Sequence, residues 1–338
     1  MSRLGATRWR IALAGLIAVV GGAAVALLAA DEEADGIRAG GGWSALSPSP
    51  LNRSEVGAAR IGSFLYVVGG FAAPGGATTN QVGRYDIHAG TWSIAPPMPI
   101  AVNHPAVAAA GGRLFVYGGY TANGALSGAT DALQRYDPAS GSWATLAGSG
   151  VNRGAATLAH AGPRLYAIGG ASGTGALVLA QVYDLRTGNW SGGPPMRTAR
   201  EHLASAVIGD RIFVLGGRSA GGNLNTVEVL NTRTRRWSRL PHLITARSGF
   251  GAAAVRGRVV AVGGEQLAEG DQTIASVEGY EPRTKRWRRL PGMLTPRHGL
   301  GVASLKRAVF AAEGGPQPGL TFSSTLERLR VPRSGSRR

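Results

Sequence analysis

A chain of 338 residues with 44% hydrophobic content is long enough to bury a large core. It contains no cysteine, which excludes disulfide scaffolds, thiolate metal centres and cysteine nucleophiles. A formal net charge of +17, carried almost wholly by arginine, points to anionic surfaces or ligands but does not bear on fold.

The first element is apolar. Arg3, Arg8 and Arg10 precede an uncharged stretch from Ile11 to Ala30, and Asp31, Glu32, Glu33 and Asp35 follow it. As a helix rising about 1.5 Å per residue, such a stretch spans roughly 30 Å, the hydrocarbon thickness of a bilayer. Residues 1–30 therefore read as a transmembrane anchor, in contact with the membrane through 11–30. The arginine flank places the rest of the chain on the extracytoplasmic side. A cleavable signal segment is the competing reading, since Ala24-Val25-Ala26 has the A-x-A pattern, and it would give a secreted protein. Residues 31–42, rich in glycine and charge, read as a flexible tether.

From residue 43 onward the sequence repeats. An apolar run ending in Gly-Gly recurs at Gly69-Gly70, Gly118-Gly119, Gly169-Gly170, Gly216-Gly217 and Gly263-Gly264, spaced 49, 51, 47 and 47 residues apart. Tyr85, Tyr136, Tyr183 and Tyr280 each stand seven residues before a tryptophan (Trp92, Trp143, Trp190, Trp287), and Leu230 holds that place before Trp237. From each of the first four of these five tryptophans, in chain order, to the next Gly-Gly the count is 26, so all length variation falls between Gly-Gly and the tyrosine place. The diglycines, the spaced Tyr and Trp, and the Tyr-Asp pairs at 85–86, 136–137 and 183–184 resemble the kelch repeat over residues 43–332. The resemblance implies an all-β propeller whose blades each have four antiparallel strands, with small residues such as Ala106–Ala110 innermost, and with Tyr and Trp packing blade to blade.

A sixth repeat is incomplete. Glu313 stands where its first glycine is due, Leu329 occupies the tyrosine place, and Ser336 stands where the tryptophan is due. Trp43, 26 residues before Gly69, supplies the missing strand from the front of the domain. The expectation is a six-bladed propeller closed by an N-terminal strand, which removes the open sheet edge. Residues 333–338 form a basic tail.

The loops carry the candidate chemistry. An arginine lies ten residues after each tryptophan, at Arg53, Arg153, Arg200, Arg247 and Arg297, with Val102 breaking the series. These five are the candidate ligand-binding residues, cations around one mouth of the channel; the competing reading makes them staples bonding loop carbonyls. Metal coordination is not expected, because His104, His202 and His298 would have to converge from several repeats without any short ligand spacing. No cofactor is expected: the copper centre of the related galactose oxidase type requires a cysteine. A second resemblance, to six-bladed sialic acid mutarotases, implies an acid or base beside an anion-binding arginine, for which Arg200-Glu201-His202 is the best triplet. Glu201 and His202 are thus the candidate catalytic residues, with Glu55 and Glu313 weaker. On the opposite face, Arg235, Arg236, Lys285 and Arg286 lie in turns suited to anionic lipid. Nucleic acid is not an expected partner. The sequence thus reads as an extracytoplasmic recognition module for a protein or an anionic glycan, with a carbohydrate-active mutarotase or isomerase as the alternative.

Overall fold

A computed structural model describes residues 42–331 apart from 174, 268 and 269. The expected anchor at 1–30, almost all of the tether and the tail at 333–338 lie outside the described residues. Among the described residues there is no helix long and apolar enough to cross a membrane.

The described chain is all β. Its main elements are six four-stranded antiparallel sheets. The first consists of Gly57–Ile61, Phe64–Val68, Val82–Asp86 and Thr91–Ala95. The next four repeat this order, starting from Ala106–Ala110, Thr157–Ala161, Ala204–Ile208 and Gly251–Val255. The sixth combines Gly301–Leu305, Ala308–Ala312 and Leu326–Arg330 with Trp43–Ala45, whose Trp43 lies opposite Leu329. That pairing repeats the register of Tyr85 with Trp92 in the first sheet and Leu230 with Trp237 in the fourth.

Strand burial explains the composition of each repeat. The first strands alternate, as in Ala106–Ala110, where small residues suit a crowded centre. Second strands such as Leu65-Tyr66-Val67-Val68 are buried on both faces, because each face meets an adjacent sheet, and so read as unbroken apolar runs. One core cluster joins Tyr66 and Val68 to Leu114, Val116 and Tyr136 of the next sheet. Another joins Leu65, Val67 and Tyr85 to Phe310, Ala312 and Leu326 of the sixth. The diglycine is set by close approach: at Gly70, with φ +93°, a Cβ would stand 2.4 Å from the Ser54 carbonyl oxygen.

The tryptophans act as clamps. Each indole Nε1 donates a 2.8 Å hydrogen bond to the carbonyl four residues after the preceding sheet's tryptophan: Trp92 to Ser47, Trp143 to Pro96, Trp190 to Ala147, Trp237 to Pro194, Trp287 to Pro241 and Trp43 to Pro291. Tyr and Trp rings stack in tilted contact, 5.1 Å apart for Tyr85 and Trp92. The blade-to-blade role expected for them is what the structure displays.

Because Trp43 makes the same clamp as Trp143, Trp43→Phe and Trp143→Phe should each destabilise the fold by about 1 kcal/mol, the net worth of one hydrogen bond. Removing residues 1–48 should lower the melting temperature far more than removing 1–36. Equal melting of the two truncations would sink the assignment of this strand to the last sheet.

Candidate active site

The five arginines of the ten-after-Trp series do not line a mouth. Arg53, Arg153, Arg200, Arg247 and Arg297 are all fully buried. In each, Nη1 donates to two carbonyls of its own sheet, one at the first-glycine place and one in the loop before the third strand. For Arg200 these are Gly216 at 3.2 Å and Thr226 at 2.8 Å. The same pairs are Gly69 and Gln81 for Arg53, Gly169 and Leu179 for Arg153, Gly263 and Ser276 for Arg247, and Glu313 and Thr325 for Arg297. A third-strand residue two before the tyrosine place completes the staple in most sheets, as in Arg200–Glu228 at 2.7 Å, Arg247–Glu278 at 2.5 Å and Arg297–Glu327 at 3.5 Å. Burial pulls Arg200 and Arg297 down to about 10 against the pull of these carboxylates, which still leaves both charged at neutral pH. The expectation that these cations meet a ligand is therefore corrected: all five are buried, with their Nη groups bonded inside the blades.

One further correction follows from the same network. Glu313 is buried against Arg53, with contacts of 2.7 and 3.0 Å, and is not available for proton transfer. Val102 is itself buried, and Gln134 of that sheet bonds Ile100 instead, through both its backbone N–H and its carbonyl.

The residues two places further on build the axis. Glu55, His104, Ala155, His202, Gly249 and Gly299, each twelve after a tryptophan, all adopt a left-handed conformation, with φ between 50° and 59°. Backbone bonds link them in sequence: His104 N–H to Glu55 O, Ala155 to His104, His202 to Ala155, Gly249 to His202 and Gly299 to Gly249. Val56 N–H then donates to Gly299 O. The preceding residues pair with those directly after each diglycine, as Ser54 with Phe71, Asn103 with Tyr120, Glu201 with Arg218, Ser248 with Glu265 and His298 with Gly315. The repeat thus delivers three side-chain positions per sheet to one place.

Those positions enclose a cavity of about 190 Å³, lined by Glu55, Phe71, His104, His202, Arg218, Glu265 and His298, with Gly124–Leu126 and Gly319–Leu320 at its lip. Glu55 Oε2 lies 3.0 Å from His104 Nε2, and Glu55 Oε1 lies 2.9 Å from His298 Nδ1. His202 Nδ1 meets Glu201, whose other oxygen takes Arg218 Nε. Arg218 also reaches Glu265 at 3.1 Å through Nη1. With a side chain 21% exposed, it is the guanidinium in the lining of this pocket.

Protonation is polarised across the cluster. Burial pushes the Glu55 carboxyl up, but His104 and His298 outweigh it and hold Glu55 well below the usual range. Burial also pulls His298 down, yet Glu55 and Glu265 beside it win and raise it. For His104 the same penalty prevails over Glu55 and the imidazole is lowered. Burial, aided by Glu201, pushes Tyr120 up to about 12, so it stays a neutral phenol.

Residues 56–198 match a family described as the KLHDC2/KLHL20/DRC7 Kelch-repeats domain, and residues 199–244 and 246–294 each match the Kelch motif. The chain belongs to the kelch-repeat family. A solved structure titled "Structure of YjhT" is similar with a TM-score of 0.73, covering 86% of this chain and 98% of that one at 14% identity, which shows a shared kelch propeller fold alone. Comparison with curated proteins returns no match.

Within the kelch frame, the expected triplet Arg200-Glu201-His202 divides. Arg200 turns into its blade, while Glu201 and His202 turn to the axis, where Arg218 takes over as the cation. Arg218, Glu265, Phe71 and Tyr120 were not singled out from the sequence. Their signal is the residue directly after each Gly-Gly, a register mark as regular as the diglycine itself.

Arg200→Met should destabilise the protein by about 3–5 kcal/mol, since it strands Glu228 as an unpaired buried carboxylate. Denaturant unfolding of Arg200→Met beside the Arg200→Met/Glu228→Met double variant checks this, the double variant recovering most of the loss.

Proposed function

We propose that this protein is a six-bladed kelch propeller, closed by its N-terminal strand, that binds a sugar or sugar acid in the axial pocket and moves a proton on it. The observation that carries the reading is the convergence of Glu55, His104, His202, Arg218, Glu265 and His298 on one cavity from separate blades, with Glu201 behind His202. Groups pushed toward opposite protonation states in one pocket are what acid–base chemistry at neutral pH requires.

The roles follow from the contacts. Glu201 fixes His202 with its proton on Nδ1, leaving the Nε2 lone pair as the base. His298, 2.9 Å from Glu55 and raised by Glu55 and Glu265, keeps its proton and is the acid. Arg218 holds an anionic oxygen of the ligand. In anomer exchange, His202 would take the proton of the anomeric hydroxyl while His298 gives one to the ring oxygen. The ring C–O bond then breaks, and it re-forms on the other face of the carbonyl with both proton transfers reversed.

The partner class expected from the sequence, an anionic glycan or a protein, is kept in narrower form: the anion contact moves from the buried arginine series to Arg218. Leu126 and Leu320, 49% and 48% exposed at the lip, favour a second reading in which a protein segment docks over the pocket. The proposal includes attachment to the membrane through residues 11–30 and an extracytoplasmic location. Arg235, Arg236, Lys285 and Arg286, all exposed, are the proposed contacts to anionic lipid.

Exchange NMR on N-acetylneuraminic acid and glucuronic acid, with EDTA-treated full-length protein, tests the reading. The wild type should accelerate anomer exchange, His202→Ala should lower the rate by about 100-fold or more, and Arg218→Lys should weaken binding by about tenfold or more. Absence of both binding and exchange for these and for neutral sugars would overturn the proposal.

A further inference from the structure

We propose that Glu55, His104 and His202 form a site for a divalent first-row transition metal, with the zinc ion as its simplest occupant. Each offers one donor atom, and among the described residues these atoms lie within 4.8 Å of one another. Two ligands of one tetrahedral zinc ion, each at about 2.1 Å, stand about 3.4 Å apart, so the widest pair needs to close by about 1.4 Å.

The decisive observation is the orientation of the two imidazoles. Asn103 Nδ2 donates to the Ala122 carbonyl at 3.1 Å, and a carbonyl can only accept, so the orientation of the Asn103 amide is fixed. Its Oδ1 therefore faces His104 Nδ1 at 2.7 Å and requires the proton to be there. His104 Nε2 is left as a lone pair 3.0 Å from the acceptor oxygen of Glu55, an arrangement that only a proton or a metal cation between them makes favourable. One blade pair further round, Glu201 does for His202 what Asn103 does for His104, fixing Nδ1–H and leaving Nε2 as the lone pair. A histidine that donates its other ring N–H to a carbonyl or carboxylate is the arrangement that positions metal-binding imidazoles.

Two histidines and one carboxylate on a pocket wall, with no thiolate in the chain, suit zinc, cobalt, nickel or iron(II) and leave positions open to the cavity. Arg218 Nη2 stands 3.4 Å from His202 Nε2, so the guanidinium must turn toward Glu265, which its Nη1 already touches. Sequence spacing gave the opposite expectation, of no metal, because the donors are 49 and 98 residues apart. Those are one and two repeat periods, brought together by the axis rather than by a local motif.

The inference does not depend on sugar chemistry, though both use His202: a bound metal occupies the Nε2 lone pair that serves as the base. Isothermal titration of the EDTA-treated full chain with zinc chloride, without sugar, should give one site per chain and a raised melting temperature. Cobalt chloride should give visible d–d bands of nitrogen and oxygen coordination. His104→Ala and His202→Ala should each weaken zinc binding by about 100-fold or more, and Glu201→Gln by about 10–100-fold. The exposed His88→Ala and His242→Ala should leave it unchanged. No zinc site, or one equally tight in His104→Ala, His202→Ala and Glu201→Gln, overturns the inference. If the alanine variants lose native circular dichroism, Glu201→Gln and the wild-type cobalt spectrum decide it. Anomer exchange without metal binding would overturn this inference alone, and metal binding without any sugar binding or exchange would overturn the proposed function alone.

Discussion

Everything at the axis depends on burying a guanidinium where the chain enters five of the six four-stranded sheets. A buried ion loses several kcal/mol of hydration, which is offset only if its donors are well matched. Here the two carbonyls at the Gly-Gly turn and before the third strand take Nη1, and in the fourth to sixth sheets a third-strand carboxylate takes the remaining charge. The staple therefore fixes both ends of the loop between the second and third strands. That loop is free to vary in length because its ends are already tied. The departures confirm the logic. In the first sheet the third-strand place is Gly83, which has no carboxylate, and Glu313 of the sixth sheet supplies one to Arg53 from the place where a glycine is otherwise found. Where Val102 removes the cation, the third strand carries neutral Gln134.

Two residues beyond the staple, the backbone turns left-handed at all six equivalent positions. Glycine takes this conformation without steric cost, as at Gly249 and Gly299, whereas Glu55, His104, Ala155 and His202 take it at a cost. Three of those four are the groups from which the pocket's chemistry is built. The chain of backbone bonds through these residues holds the strained geometry in place, so the side chains are presented by a rigid frame and not by mobile loops.

The period, the diglycines and the Tyr–Trp register were legible because packing repeats them: every blade meets the same neighbours, so every repeat needs the same residues. Trp43 was legible for the same reason, as a missing member of a counted series. The fate of the arginines was not, because a cation after a strand looks alike in sequence whether it faces water or a set of carbonyls. The glutamate and glutamine two before the tyrosine place, Gln134, Gln181, Glu228, Glu278 and Glu327, were the available clue, since a polar residue at a core-facing strand position calls for a buried partner. The pocket itself was legible only in part. Glu201 and His202 stood out beside an arginine of the counted series and Glu55 more weakly, whereas Arg218 and Glu265 follow diglycines that had already been explained by backbone approach.

What separates this axis from a structural plug is its asymmetry. Were the left-handed positions all glycine or alanine, as Ala155, Gly249 and Gly299 are, the backbone bonds would close the centre and nothing would be presented to solvent. Instead Glu201, His202 and Arg218 contact one another, Glu55, Glu265 and His298 do likewise, Arg218 joins the two groups through Glu265, and Phe71 and Tyr120 pack T-shaped against His104. A cavity lined by carboxylates, imidazoles, a guanidinium and Phe71 suits the proposed ligand, a molecule with hydroxyl and carboxyl edges and an apolar C–H face. A sugar ring has that distribution, and the aromatic wall would let its apolar face leave water without stranding a polar group. The repeat supplies equivalent positions; the chemistry comes from filling them unequally.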